Sequence, residues 1–147
     1  MFPEQGMFDQ IMVGGAASSV NLMLHAVLMA AVAWTVQHIK VHESLVPQFA
    51  QRTVIIVATG FLLVTGHFVE VLIWAATYDI VGAAPDGTLL VYFAFQNYTT
   101  LGYGDILPVD EWRLLGPITA LNGIMLIGWS TALIFDVLRR TGPNMQE

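Results

Sequence analysis

The 147-residue chain contains no cysteine. That excludes a disulfide framework, a thiolate metal site and a thiol redox switch, and it removes one clue to compartment. Charge is scarce as well. Only 11% of residues are charged while 56% are hydrophobic, against about 25% charged in an ordinary soluble domain, so the composition is that of a membrane protein. Basic residues are few, five Lys and Arg against eleven Asp and Glu, for a formal net charge of -6. With no basic face to neutralise phosphates, nucleic acid is excluded as a partner. The first ten residues carry Glu4 and Asp9 and no positive charge, unlike a cleaved secretory signal. No nucleophile, base and oxyanion donor fall at interpretable spacing, which argues against an enzyme and against a small-molecule substrate.

What the chain does have is long apolar runs. From Ile11 to Ile39 there is no Lys, Arg, Asp or Glu, and a hydrocarbon core of about 30 Å needs about 20 helical residues to cross it. This run predicts a first transmembrane helix. Gly14, Gly15, Ser18 and Ser19 weaken its first turns and move the expected start toward Ala16. Ala26, Ala30 and Ala33 share one face and permit close packing against another helix. Lys40 to Gln51 reads as a polar connector with His42, Glu43 and Pro47. Val54 to Trp74 predicts a second span, interrupted only by His67 and Glu70. Tyr78 to Thr88 has the Gly, Pro and Asp chemistry of an irregular link. Leu89 to Thr99 is apolar and aromatic but too short to span, so a re-entrant helix is expected there. Leu114 to Leu138 predicts a third span, entered through Trp112, Arg113 and Pro117. At this length the expectation is one small all-α membrane domain with no appended ligand-sensing domain.

The basic residues orient it. With the amino terminus outside, the Lys40/Arg52 connector and Arg139-Arg140 face the cytoplasm, and the stretch from Asp79 to Glu111, which has no Lys or Arg before Arg113, lies outside. That outer stretch brings five acidic residues and a negative field that concentrates cations. The first helix lacks an Arg series, so steep voltage dependence is not expected.

Between the re-entrant run and the third span, Thr99 and Thr100 precede Leu101-Gly102-Tyr103-Gly104-Asp105, with glycines alternating with larger residues. A segment whose residues alternate in hand points successive carbonyls to one side. Several copies of such an oxygen ladder around an axis can replace the hydration shell of a monovalent cation.

Thr100-Leu101-Gly102-Tyr103-Gly104-Asp105 resembles the Thr-Val-Gly-Tyr-Gly-Asp signature of the tetrameric potassium channels, with Leu101 where Val is usual. Gly104 to Val109 followed by Trp112-Arg113 is similar to the outer mouth of the small bacterial channels of the KcsA type. Gly123-Ile124, Gly128 and Thr131-Ala132 fall at the spacings of that family's inner helix. The likeness runs from about Val54 to Arg140.

The resemblance implies a homotetramer that passes K+ passively across a plasma membrane, bacterial in type. K+ would be held by the carbonyls of Thr100, Leu101, Gly102 and Tyr103 and by the Thr100 hydroxyl, with Gly104 completing the filter. It divides the chain into an amino-terminal part, 1–52, a pore domain, 53–140, and a cytoplasmic tail, 141–147. Within the pore domain the outer helix is expected at 53–77, the pore helix at 88–99, the filter at 100–104 and the inner helix at 113–139. Thr99, Tyr92, Phe93, Gln96, Asp105 and Glu70 would support the filter. Where the KcsA type has two Trp and a Glu, this chain has Tyr92, Phe93 and Gln96, so Tyr103 is expected to pack on Tyr92 and Phe93 of a neighbour and Gln96 to hydrogen-bond Asp105. Ile124, Ile127, Thr131 and Phe135 would line the cavity, with Gly123 at the bend and Phe135 as the constriction. Asn122 would bond a neighbouring pore helix. Membrane lipid is the surrounding partner, and no cofactor beyond the permeant ion is implied. A non-selective monovalent cation channel and a non-conducting accessory subunit are the competing readings.

The lone polar residues carry separate expectations. A carboxylate in the hydrocarbon region needs partners, and Glu70 is expected to accept hydrogen bonds from backbone near the start of the pore helix or third helix. A direct ion-binding role for it is the alternative. His67 and Glu70 share a helix face, but two ligands are too few for a structural metal site. His25 is expected as an interhelical contact, and His38, His42 and Glu43 as interfacial anchors. The first helix would sit outside the pore pair as scaffold or lipid-facing shield.

Overall fold

The computed structural model describes residues 4–38 and 47–141. Among these residues four α-helices follow one another: α1 at Glu4–His38, α2 at Gln48–Val81, α3 at Leu90–Tyr98 and α4 at Leu115–Thr141, with a 3-10 turn at Asp110–Trp112. There is no strand among the described residues. Lys40, His42, Glu43 and the tail beyond Thr141 lie outside the described residues.

The three long helices have 35, 34 and 27 residues, and at about 1.5 Å per residue each exceeds the roughly 30 Å of a hydrocarbon core. All three are apolar enough to cross a membrane. With 9 residues, α3 cannot. This is an all-α, multi-pass membrane protein.

The helices run further than local propensity allows. α1 begins at Glu4 rather than near Ala16, because packing overrides the weak turn. A Cβ on Gly14 would come 2.8 Å from Ile118 Cδ1, so the residue that weakens α1 in isolation is the one that lets it close on α4. The Gln10 side chain adds a polar tie, its Oε1 accepting from the Leu114 backbone N–H at 2.7 Å. Likewise α2 starts six residues before Val54 and ends at Val81, where Gly82 in the left-handed region (φ 63°) caps it.

The core sits where α1, α2, α3 and α4 meet. Trp74, Tyr78, Phe93, Tyr98 and Leu115 are fully buried there, with the Tyr78 and Phe93 rings 4.9 Å apart. α1 packs against both α2 and α4, which makes it an integral wall of the bundle. A second apolar cluster of Met29, Val32, Leu63, Leu133 and Val137 closes the other end of the bundle.

Candidate functional site

α3 ends against the middle of α4, and the chain then leaves it in an unusual way. The Thr100 N–H donates to Asn97 O at 3.0 Å and the Leu101 N–H to Gln96 O at 2.9 Å, the paired bonds of a Schellman cap. Such a cap requires a left-handed residue, normally Gly, yet Thr100 occupies it with φ 60°. A β-branched residue there is strained by about 1–2 kcal/mol. Strain of that kind marks functional sites. Gly102 and Gly104 follow with φ of 50° and 77°. Left-handed residues at 100, 102 and 104 therefore alternate with Leu101 and Tyr103, the pattern that aligns successive carbonyls.

The segment is open on its far side. Thr99 through Asp105 are all exposed in the single chain, Leu101 to 55% and Tyr103 to 67%. Behind it lies a hollow of about 440 Å³, walled by Gln96, Asn97, Pro108 and Arg113. Asp105 is held by the Tyr92 hydroxyl, which donates to its Oδ2 at 2.8 Å and keeps the carboxyl below the ordinary carboxylate value. The backbone beyond is pinned by the Val109 N–H donating to Ala83 O at 3.0 Å.

Several expected support roles change here. Phe93 is fully buried against Tyr78 within its own chain, so a neighbour's Tyr103 cannot pack on it. Tyr92 keeps an exposed face beside its bond to Asp105. Gln96 lies close enough to Asp105 to help hold its carboxyl ionised, but its Nε2 has no partner within hydrogen-bond geometry among the described residues, and the direct bond to Asp105 comes from Tyr92. The contribution of Gln96 to the turn is its carbonyl, which accepts from Leu101 and also from Gly102 at 3.3 Å. Thr99 bonds back to Phe95 O at 2.8 Å.

Glu70 differs most from expectation. It is fully buried, and its partners are side chains, with no backbone near the start of α3 or α4 among them. His25 Nδ1 lies 2.7 Å from Oε1, His67 Nδ1 2.9 Å from Oε2, and the Tyr98 hydroxyl donates to Oε2. One carboxylate thus gathers α1, α2 and the last residue of α3. Sequence spacing could not reveal the His25 contribution, because 45 residues separate it from Glu70. Asn122 also departs from its expected contact. Its Oδ1 accepts from Trp74 Nε1 at 3.0 Å and Asn21 Nδ2 at 3.1 Å, tying α4 to α2 and α1 and not to a pore helix.

On α4, Ile124, Ile127, Thr131 and Phe135 are all exposed in the protomer, at 59%, 40% and 64% for Ile124, Ile127 and Phe135. They form one stripe at helical spacing, turned away from their own core. Gly123, next to that stripe, faces inward and touches Tyr98.

The chain thus runs from a helix too short to span, through a strained turn of alternating hand, into a long helix with an exposed apolar stripe. The chain closely matches no curated protein and no solved structure. The family model for ion channels matches residues 66–140, which takes in the second half of α2, α3, the alternating segment and α4. By that match this chain belongs to the ion channel family, and its activity is passive conduction of ions through a membrane.

Proposed function

We propose that the protein is a potassium-selective channel built as a homotetramer. The observation that carries this reading is the left-handed backbone at Thr100, Gly102 and Gly104 in a segment of sequence Thr-Leu-Gly-Tyr-Gly-Asp. With that alternation the carbonyls of Thr100, Leu101, Gly102 and Tyr103, together with the Thr100 hydroxyl, stack as ligands for dehydrated K+. A single chain supplies one side of each oxygen ring, so closure requires copies around an axis. The exposure of Leu101, Tyr103 and the α4 stripe in the isolated chain supports that assembly. In this arrangement α3 directs its carbonyl end toward the cavity lined by Ile124, Ile127 and Thr131, where the helix dipole favours a cation. The amino terminus is outside and the Arg139-Arg140 end cytoplasmic.

One feature favours a less selective channel as the second reading. Gln96 Nε2 behind the filter makes no hydrogen bond among the described residues, beside a Leu101 where Val is usual, which leaves that part of the filter lightly braced. Reversal potentials in mixed K+ and Na+ separate the two. Single-channel recording with Ba2+ block, repeated on Gly102→Ala, tests the filter itself. A Cβ at φ 50° disfavours the left-handed backbone, so conduction and Ba2+ block should both be lost. Unchanged K+ current in that variant would overturn the reading.

A further inference from the structure

The geometry points to a divalent transition-metal site, of the Zn2+ class, formed by His25, His67, Glu70 and Tyr98 behind the filter. The ligand atoms of His25, His67 and Glu70 all lie within 4.8 Å of one another, drawn from α1 and α2. The Tyr98 oxygen joins them, 2.8 Å from His67 Nδ1 and bonded to Glu70. Two imidazoles, a carboxylate and a phenol make an N2O2 donor set, which suits Zn2+ among the common divalent ions.

Ser130 is the independent observation. Both histidines point Nδ1 at the same carboxylate and Nε2 at the same hydroxyl, with Ser130 Oγ 3.0 Å from His67 and 3.4 Å from His25. A single hydroxyl proton can serve only one of those two nitrogens. When each neutral ring donates from Nδ1 to Glu70, the other Nε2 faces an oxygen lone pair. With an ion between the Nδ1 atoms and the carboxylate, that mismatch disappears. Each ring then carries its proton on Nε2, and Ser130 Oγ accepts both N–H groups with its two lone pairs. Metal-binding imidazoles are held in this way, one nitrogen on the ion and the other N–H on an oxygen acceptor.

Charge and protons balance. The two Nδ1 protons move to Nε2 of the same rings, Tyr98 binds as phenolate and its proton passes to solvent, and Glu70 and Tyr98 together neutralise the 2+ ion. With bonds of about 2.0–2.2 Å the ligand atoms must sit roughly 3.4 Å apart, so the present hydrogen bonds open slightly to admit the ion. His67, at 19% side-chain exposure, is the edge by which it enters. Once bound, the ion pins α1 and α2 to the residue that ends α3, and so to the filter.

The test is binding to the purified full-length protein, which does not depend on whether the channel selects K+. After Co2+ loading, the intense visible absorption of a four-coordinate site should appear with about one ion per chain, and Zn2+ should displace it. His25→Ala and His67→Ala should each abolish the band, and Ser130→Ala should weaken affinity by about 10–100-fold. His38→Ala should leave it intact. Absence of a four-coordinate Co2+ spectrum in the wild-type protein overturns the proposal, whatever the folding of the variants. So does a stoichiometry unchanged in folded His25→Ala and His67→Ala.

Discussion

Gly123 of α4 lies directly against the carbonyl of Tyr98, the last residue of α3. A Cβ built on Gly123 would overlap the Tyr98 oxygen and would come 2.8 Å from the carbonyl carbon and 3.1 Å from the ring. The glycine is therefore where α3 seats on α4, a packing role beside the bending role that the resemblance implies. Gly123→Ala should destabilise the protein by about 1–3 kcal/mol, the usual penalty of overpacking. Gly128→Ala is the control, since nothing lies within 4 Å of its added Cβ, and it should be neutral or stabilising by up to about 1 kcal/mol. Thermal unfolding in detergent measures both. Equal melting of the two variants would leave Gly123 a hinge alone.

Asn122 holds two donors on one oxygen, Trp74 Nε1 and Asn21 Nδ2. Asn122→Ala strands the Trp74 donor in a buried site and leaves Asn21 Nδ2 only its bond to Glu70 O at 3.3 Å, and membrane hydrogen bonds average about 0.6 kcal/mol with a maximum near 1.7. The expected loss is about 1–3 kcal/mol, read by denaturant titration in mixed micelles. Trp74 fluorescence should shift with it, because the indole loses its acceptor. A variant as stable as wild type would mean that the Asn122 contact adds nothing to the hold of α1, leaving it to apolar packing and to the Gln10 and His25 bonds.

Asp105 and Tyr92 give a pH prediction. The donated hydroxyl lowers the Asp105 carboxyl below its ordinary value, so ionised Asp105 favours the folded mouth above that ordinary value. The contribution is lost as pH falls through the lowered one. In Tyr92→Phe the carboxyl should titrate closer to its ordinary value, and any filter closure triggered by external acid should begin at higher pH. Carboxyl carbon NMR, or current against external pH, follows the midpoint. An identical midpoint in the two proteins refutes the coupling.

Phe135 is 64% exposed in the protomer, so truncating it removes little packing within its own chain. Phe135→Ala should change melting of the protomer by less than about 0.5 kcal/mol while raising basal current several-fold, if four copies form the cytoplasmic constriction. Unchanged gating would locate the gate at the filter.

The spans were legible because hydropathy is a local property: Ile11 to Ile39 or Leu114 to Leu138 needs no knowledge of its neighbours to be too apolar for water. The dihedral pattern at Gly102 and Gly104 was legible for a similar reason, since a residue without a Cβ declares its freedom in place. Helix ends were less so. Gly14 and Ser18 argued for a late start to α1, and it is contact with α4, through Ile118 and the Leu114 N–H, that lets the helix begin at Glu4.

Composition, span number and the alternating backbone were determined by the sequence itself, through short-range effects of side-chain size and polarity. Which polar groups meet was decided by tertiary structure alone. Phe93 turned into its own core, Asn122 turned to Trp74 and Asn21, and His25 crossed from α1 to Glu70. Those encounters depend on the rotation and height of one helix against another, set by the whole packed bundle and by the cost of leaving a buried carboxylate or amide without a partner.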